Sequence, residues 1–145
     1  MHVSGILKHK DSSSIISAKP GDTIETVAAL LAAHRIGAVL VLDPGGGVAG
    51  IISERDIVRG LATHGPAVLN QSVSELMTRK VVACAPGDSV SSIMTRMTEG
   101  RFRHMPVMDG GRLVGFISIG DVVKHRLAEA TSEVESMRVY VAGGF

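Results

Sequence analysis

Short apolar runs alternate with helical stripes along the first half of the chain. A short β-rich run at residues 15–18 and apolar runs at 38–42 and 48–52 predict three strands. One helical face is predicted by apolar residues three or four positions apart, namely Ile24, Val27 and Leu31. Asp22 and Glu25 have the spacing of a capping box at the start of that helix. The turn sequence DPGGG at 43–47 joins the last two strands in a hairpin, and a second helix is predicted after it.

The second half of the chain repeats this order, and its first strand is predicted at residues 81–84. The tripeptide PGD at 20–22 recurs 66 positions later at 86–88, and Gly50 recurs 65 positions later as Gly115. The repeated helical face and the repeated hairpin are predicted from Val90, Ile93, Met94 and Met97, from the runs 105–108 and 113–117, and from the turn 109–111. A repeat of this size need not bury its apolar face alone. We therefore predict that the two halves pack together across a pseudo-twofold seam, where a small molecule has room to bind.

Three segments lie outside the two copies. Residues 1–14 form a lead-in, residues 63–80 form a linker with a short helix near 73–78, and residues 128–145 form a helical tail. The copies themselves span residues 15–62 and 81–127. The tail helix is predicted from an apolar stripe and a stop at Gly143 and Gly144, the stripe being Leu127, Ala130, Val134, Met137 and Val141. Such a stripe is expected to close the module or to contact a second subunit.

Composition narrows the class of protein without selecting a partner. The chain has 145 residues, of which 45% are apolar and 20% charged, as expected for one compact domain built from two halves. A net charge of +1 favours neither nucleic acid nor an anionic membrane. Cys84 is the only cysteine, so no internal disulfide forms, and no apolar stretch resembles a signal sequence or a membrane span. We therefore expect a soluble cytoplasmic protein.

The most specific signature follows each hairpin. The sequences GIISERD at 50–56 and GFISIGD at 115–121 place a serine and an aspartate three residues apart where a strand becomes a helix. Together with the repeated PGD and the strand-helix-strand-strand-helix order, they make the chain resemble a tandem pair of cystathionine-β-synthase (CBS) domains, also called a Bateman module. The resemblance implies an α/β (α+β) fold of two β-α-β-β-α repeats with pseudo-twofold symmetry.

The resemblance also implies a function. CBS pairs are regulatory, signal-transducing modules, usually homodimeric, that bind adenosine-containing ligands such as AMP, ADP, ATP, NAD(H) or S-adenosylmethionine in the cleft between repeats. We therefore expect a ligand-binding module with no catalytic cofactor and no enzymatic activity, acting on a downstream protein that the sequence does not identify. The sequence also leaves open which ligand binds and whether both copies bind one.

The serine–aspartate pairs support two interpretations. Ser53 with Asp56, and Ser118 with Asp121, have the spacing of helix caps that satisfy free backbone N–H groups. The same helix entrance offers N–H donors to a phosphate, and its carboxylate can accept ribose hydroxyls. The resemblance assigns the serine to the phosphate or ribose and the aspartate to the ribose. Capping and ligand binding are compatible.

The two copies differ in other candidate residues. Arg103 and His104 stand where the first copy has Gly37 and Ala38, and Arg55 is a further candidate, so we predict unequal sites with Arg103 binding phosphate. A solvated surface edge is the alternative for the arginines. The predicted adenine pocket consists of apolar residues that could equally be ordinary core, namely Ile16, Ile51, Val82, Met105, Pro106 and Phe116.

Other chemistries find little support. The six histidines lack the spacing of a metal site, and the sequence contains neither a GxxxxGK phosphate loop nor a GxSxG elbow. Cys84 is expected to be a buried apolar residue. The main alternative function is a structural or interaction dimer without a physiological nucleotide. A hydrolase or transferase using Asp56 or Asp121 as base lacks a nucleophile, and a nucleic-acid binder would use basic residues that include Arg79, Lys80, Arg101 and Arg103.

Overall fold

The computed structural model describes residues 1–10 and 15–142, and it contains the two repeats that the sequence predicts. The helices are α1 Val3–His9, α2 Ile24–His34, α3 Glu54–His64, α4 Val73–Leu76, α5 Val90–Gly100 and α6 Ile119–Ala142, with a 3-10 turn at Pro66–Asn70. The strands are β1 Ser17–Ala18, β2 Ala38–Leu42, β3 Val48–Ser53, β4 His104–Asp109 and β5 Arg112–Ser118. The mixed α/β fold class is confirmed.

Each repeat is built on an antiparallel hairpin. In the first repeat, β2 lies between a parallel β1 and an antiparallel β3, so the sheet has three strands. In the second repeat, β4 and β5 pair antiparallel, and His104 lies opposite Ser118 as Ala38 lies opposite Ser53. This register places one residue of each hairpin across from the serine that begins the following helix.

The strand predicted at 81–84 is reduced to a single bridge. Cys84 pairs in parallel with Val107, and its backbone exchanges hydrogen bonds with Pro106 and Met108 at 3.0 and 2.8 Å. Val82 is 41% exposed and Ala83 is also exposed, so little burial favours extending the bridge into a strand. Burial of Cys84 is confirmed, and desolvation raises the pKa of its thiol to about 11.

One predicted cap was wrong. The N-cap of α2 is Thr23, whose hydroxyl accepts from the N–H of Thr26, so Asp22 and Glu25 form no capping box. The Asp22 carboxylate instead accepts the N–H of Lys19 at 2.9 Å and closes the PGD turn. The tail helix is confirmed through Ala142, whereas the predicted stop at Gly143 and Gly144 lies outside the described residues.

The segment that precedes each repeat in sequence packs against the other repeat. We call residues 1–10 the first lead-in and residues 71–80 the second lead-in. The N–H of Val3 in α1 donates to the carbonyl of Asp88, whereas the N–H of Val73 in α4 donates to the carbonyl of Asp22, at 2.9 and 2.7 Å. Helix N-termini have free N–H groups that need acceptors, and the PGD turns supply them. The first lead-in therefore docks on the second repeat and the second lead-in on the first repeat.

Apolar side chains of each lead-in also pack into the core of the other repeat. Val3 and Ile6 of the first lead-in are buried in the core of the second repeat, and Val73 and Met77 of the second lead-in in that of the first. Gly115 and Gly50 leave room for this packing: a Cβ at Gly115 would lie 2.5 Å from Cδ2 of Leu7. Each hydrophobic core is completed by a helix that lies outside its own repeat.

We expect Gly50→Ala to destabilise the protein by about 1–3 kcal/mol, as overpacking typically does. A Cβ at Gly50 would lie 2.7 Å from the carbonyl oxygen of Thr78 and 2.9 Å from the Met77 sulfur, and the backbone oxygen cannot rotate away. Urea unfolding of the variant measures this loss.

Gly21→Ala is the matched control, because a Cβ there would meet nothing within 4 Å. It should change the free energy of unfolding by no more than about 0.5 kcal/mol. Equal effects of the two substitutions would contradict the close packing of the second lead-in on β3.

Candidate functional site

A cavity of ≈ 430 Å³ lies at the seam between the two repeats. Its walls come from the first lead-in, from the first repeat around the end of α2 and the start of β2, and from β4, β5 and α6 of the second repeat. The lining residues are Lys10, Ile15, Ile16, Arg35, Ile36, Gly37, Ala38, His104, Phe116, Ser118 and Asp121. The volume is within the range of small-molecule sites.

The entrance of α6 supplies the carboxylate of the cavity. Asp121 Oδ2 accepts the N–H of Ser118 at 2.9 Å, and the N–H of Asp121 donates to the Ser118 hydroxyl at 3.2 Å. This reciprocal pair has the form of a capping box, so its local role is to satisfy the free N–H groups of the helix. The same pairing fixes the carboxylate at the cavity wall.

A lysine from the first lead-in neutralises that carboxylate. Lys10 Nζ donates to Asp121 Oδ2 at 2.7 Å and to the carbonyl oxygen of Phe116 at 2.6 Å. Burial raises the pKa of the Asp121 carboxyl, but the hydrogen bond and charge of Lys10 together with the Ser118 N–H outweigh burial and hold this pKa below its usual value. Asp121 is therefore ionised at neutral pH.

Two rings form one wall of the cavity. The imidazole of His104 stacks on Phe116 with ring centroids 5.6 Å apart and planes inclined by 23°. The nearest ring atom of His104 would lie 3.8 Å from a Cβ at Gly37, so the first repeat approaches the imidazole through a residue without a side chain. Burial, aided by the charge of Lys10, lowers the pKa of His104 below its usual value, and the ring is neutral at pH 7.

The structure brings together some of the residues that the sequence singled out. The cavity is lined by His104, Ser118 and Asp121 of the predicted nucleotide-binding residues and by Ile16 and Phe116 of the predicted adenine pocket. The remaining predicted residues do not line it, namely Ser53, Arg55, Asp56, Arg103, Ile51, Val82, Met105 and Pro106.

Their positions explain this separation. Met105 is fully buried in the core of the second repeat, and the carbonyl of Pro106 accepts the N–H of Cys84. Ile51 pairs with Thr78 of the second lead-in. The Arg103 side chain is exposed, while its carbonyl accepts the N–H of Ile119 at 2.7 Å.

The two helix entrances differ in their partners. At α3, Asp56 Oδ2 accepts from both the N–H and the hydroxyl of Ser53, at 2.9 and 3.0 Å, and no ion pair reaches it from the described residues. At α6, the equivalent carboxylate pairs with Lys10. The duplicated motif therefore gives two caps but only one charge-paired carboxylate.

Six lining residues were not among the predicted site residues. They are Lys10, Ile15, Arg35, Ile36, Gly37 and Ala38. Arg35 and Arg101 both end a helix in the left-handed region, with φ of 54° and 55°, and this shared geometry carries no sequence signal. The available signal for Lys10 was the likeness of the segment at 3–7 to the one at 73–77, which hints that both lead-ins are structural parts of the module.

The described residues offer little for other kinds of site. They contain no group of three or more His, Cys, Asp or Glu side chains that could hold a metal ion. None of the helices in residues 1–10 and 15–142 combines the length and apolarity that crossing a bilayer requires.

Known proteins are similar to this chain in sequence and fold. The sequence model of the CBS domain matches residues 4–63 and 73–128. A mitochondrial CBS domain-containing protein of Arabidopsis thaliana is 32% identical over 150 residues, which cover 99% of this chain and 73% of the relative. The crystal structure of a CBS-domain containing protein from Agrobacterium tumefaciens is 47% identical with a TM-score of 0.83, covering 86% of this chain and 92% of the other.

A further solved structure contains ligands. The CBS domain pair of the protein MJ0100, in complex with 5′-methylthioadenosine and S-adenosyl-L-methionine, is 26% identical to this chain with a TM-score of 0.78. The match covers 89% of this chain and 98% of that one.

We expect His104 to titrate below its usual pKa of 6.5 and to make stability fall in mild acid. As the pH drops below about 6.5, the unfolded chain takes up a proton that the folded chain does not, so the free energy of unfolding decreases until the folded-state pKa is passed. Proton NMR of the imidazole gives the midpoint. Urea unfolding at pH 7.5 and 5.5 should show a smaller pH effect in His104→Gln than in the wild type. A midpoint at or above 6.5 would contradict the buried position of the ring.

Proposed function

The chain belongs to the CBS-domain family, and we propose that it is a regulatory module that binds an adenosine nucleotide, AMP, ADP or ATP, or the dinucleotide NAD(H), between its repeats. The observation that carries the proposal is the seam cavity, whose walls combine an ionised carboxylate, a lysine, two stacked rings and apolar side chains. Concave, largely apolar sites with a few convergent polar groups are typical of small-molecule binding. The complex of the related CBS pair with two adenosine compounds supports the same ligand class.

The proposed pose follows from the chemistry of the walls. The Asp121 carboxylate accepts a ribose hydroxyl, since an ionised carboxylate is a strong acceptor at neutral pH. The adenine ring lies among Ile16, Ile36 and Phe116, where the cavity is apolar. The phosphate lies toward Ser118 and Lys10, because the first turn of α6 and the ammonium both favour an anion.

The position of the cavity gives a mechanism for regulation. Its lining comes from both repeats and from the first lead-in, so a bound ligand contacts all three parts at once. A ligand that binds one arrangement of these parts more tightly shifts the population toward that arrangement. In this proposal the ligand is bound and released unchanged, and no catalytic step or catalytic cofactor is involved.

The proposal includes a homodimer in the cytoplasm that acts on a downstream protein. Val58 of α3 and Val123 of α6 are equivalent in the two repeats and are 63% and 43% exposed, and Leu127 on α6 is 63% exposed. Exposed apolar residues on two equivalent helices are suited to a symmetric contact with a second copy.

One observation favours the alternative of a structural or interaction dimer. Lys10 already neutralises the Asp121 carboxylate, so this partly buried charge is balanced without any ligand. If Asp121 served only to pair with Lys10 and to cap α6, the serine–aspartate pairs would be helix caps only. Adenosine ligands would then not stabilise the protein.

We expect thermal unfolding to distinguish the two functions. A ligand at 100 times its dissociation constant stabilises the folded state by about 2.7 kcal/mol, enough to raise Tm by several degrees. AMP, ADP, ATP, NAD and S-adenosylmethionine form the panel, and Asp121→Asn should weaken the best ligand about 10-fold or more by removing a charge-assisted hydrogen bond.

Asp56→Asn is the matched control, since Asp56 makes the equivalent cap at α3 but does not line the cavity. It should leave the affinity of the cavity unchanged. If no ligand of the panel raised Tm, or if both variants lost affinity equally, the nucleotide proposal would be wrong and the structural dimer would be favoured.

A further inference from the structure

We propose that Lys10 determines the ligand class of the seam cavity, selecting adenosine ligands that carry a phosphate over those that are uncharged or cationic. This inference rests on the proposed function, since it concerns the same cavity. Lys10 belongs to neither serine–aspartate motif: it directly follows α1, and the docking of α1 on the second repeat brings it to the cavity wall.

The hydrogen bonds of Lys10 leave capacity for a ligand. An ammonium group has three donors, and two of them are used by the Phe116 carbonyl and by Asp121 Oδ2. No third acceptor for Lys10 lies within hydrogen-bonding distance among the residues that the structure describes. The third donor can therefore bind a phosphate oxygen while the ion pair stays intact.

The carboxylate next to it has matching capacity. Asp121 Oδ2 accepts from Lys10 and Ser118, whereas Oδ1 accepts no hydrogen bond from the described part of the chain. Oδ1 is therefore available as an acceptor on the same carboxylate whose Oδ2 lies 2.7 Å from the Lys10 ammonium. The carboxylate and the ammonium together suit a ribose hydroxyl and the phosphate of one nucleotide.

The charges of the cavity point in the same direction. Among the described lining residues, the permanent cations Lys10 and Arg35 outnumber the one carboxylate, that of Asp121. Glu54 and Arg103, which do not line the cavity, carry opposite charges that both act on His104. His104 adds no charge at neutral pH because burial lowers its pKa. The surplus of one positive charge attracts a phosphate and disfavours the sulfonium of S-adenosylmethionine.

The ion pair itself contributes little to folding. The Lys10 and Asp121 side chains are 36% and 27% exposed, and ion pairs that keep this much solvent contact add little to stability. Removing the lysine should therefore leave a folded protein. A change in ligand preference in such a variant reports on the cavity and not on unfolding.

The test compares AMP, adenosine and S-adenosylmethionine by calorimetry in the wild type and in Lys10→Ala. We expect the wild type to bind AMP at least 10-fold more tightly than adenosine, and Lys10→Ala to lose that preference while its affinity for adenosine changes less than about 3-fold. S-adenosylmethionine should bind the variant more tightly than it binds the wild type. Lys10→Arg should keep most of the preference for AMP, because it keeps the charge.

Lys80→Ala is the control, since Lys80 stands 70 positions after Lys10 at the same point of the second lead-in and does not line the cavity. It should behave as the wild type. An equal loss of AMP and adenosine in Lys10→Ala would show that Lys10 only shapes the cavity, and an unchanged preference would show that it has no role; either result overturns the inference. A wild type that binds none of the three compounds overturns the proposed function as well.

Discussion

The docking of the first lead-in on the second repeat is the constraint on which the rest of the structure depends. Val3 and Ile6 of α1 are buried in a core that is otherwise built from residues beyond 83, and Leu7 fills the space beside Gly115. Burial of apolar side chains is the main force that holds such a helix in place. Because α1 is fixed there, its C-cap residue Lys10 lies against the second repeat. The Lys10 ammonium pairs with Asp121 in that position.

Duplication provides the frame of the site, and departures from symmetry provide its chemistry. Both repeats begin their last helix with a serine N-cap and end the earlier helix at an arginine in the left-handed region. The difference lies where β2 and β4 begin, since Gly37 and Ala38 line the cavity from the first repeat and His104 lines it from the second. Small residues on one side and rings on the other leave a cavity that two identical repeats would not produce.

The sequence was sufficient for the fold because its signals are local and repeated. The hairpins, the PGD turns and the serine–aspartate pairs each depend on a few neighbouring residues, and each occurs twice. The site depends on tertiary placement instead. Arg103 was predicted to bind phosphate, but its side chain lies outside the cavity, whereas the distant Lys10 lies within it. No local pattern reports that a segment will cross over to the other repeat.

A site formed this way links recognition to the arrangement of the module. The carboxylate belongs to the second repeat, the space opposite His104 to the first, and the ammonium to the lead-in.

The most direct test is a crystal structure of the protein grown with AMP. We expect the nucleoside to lie between Gly37 and Phe116, with a ribose hydroxyl on Asp121 and the phosphate near Lys10. A structure at saturating AMP that shows the seam cavity without nucleotide, or AMP bound elsewhere, would contradict it.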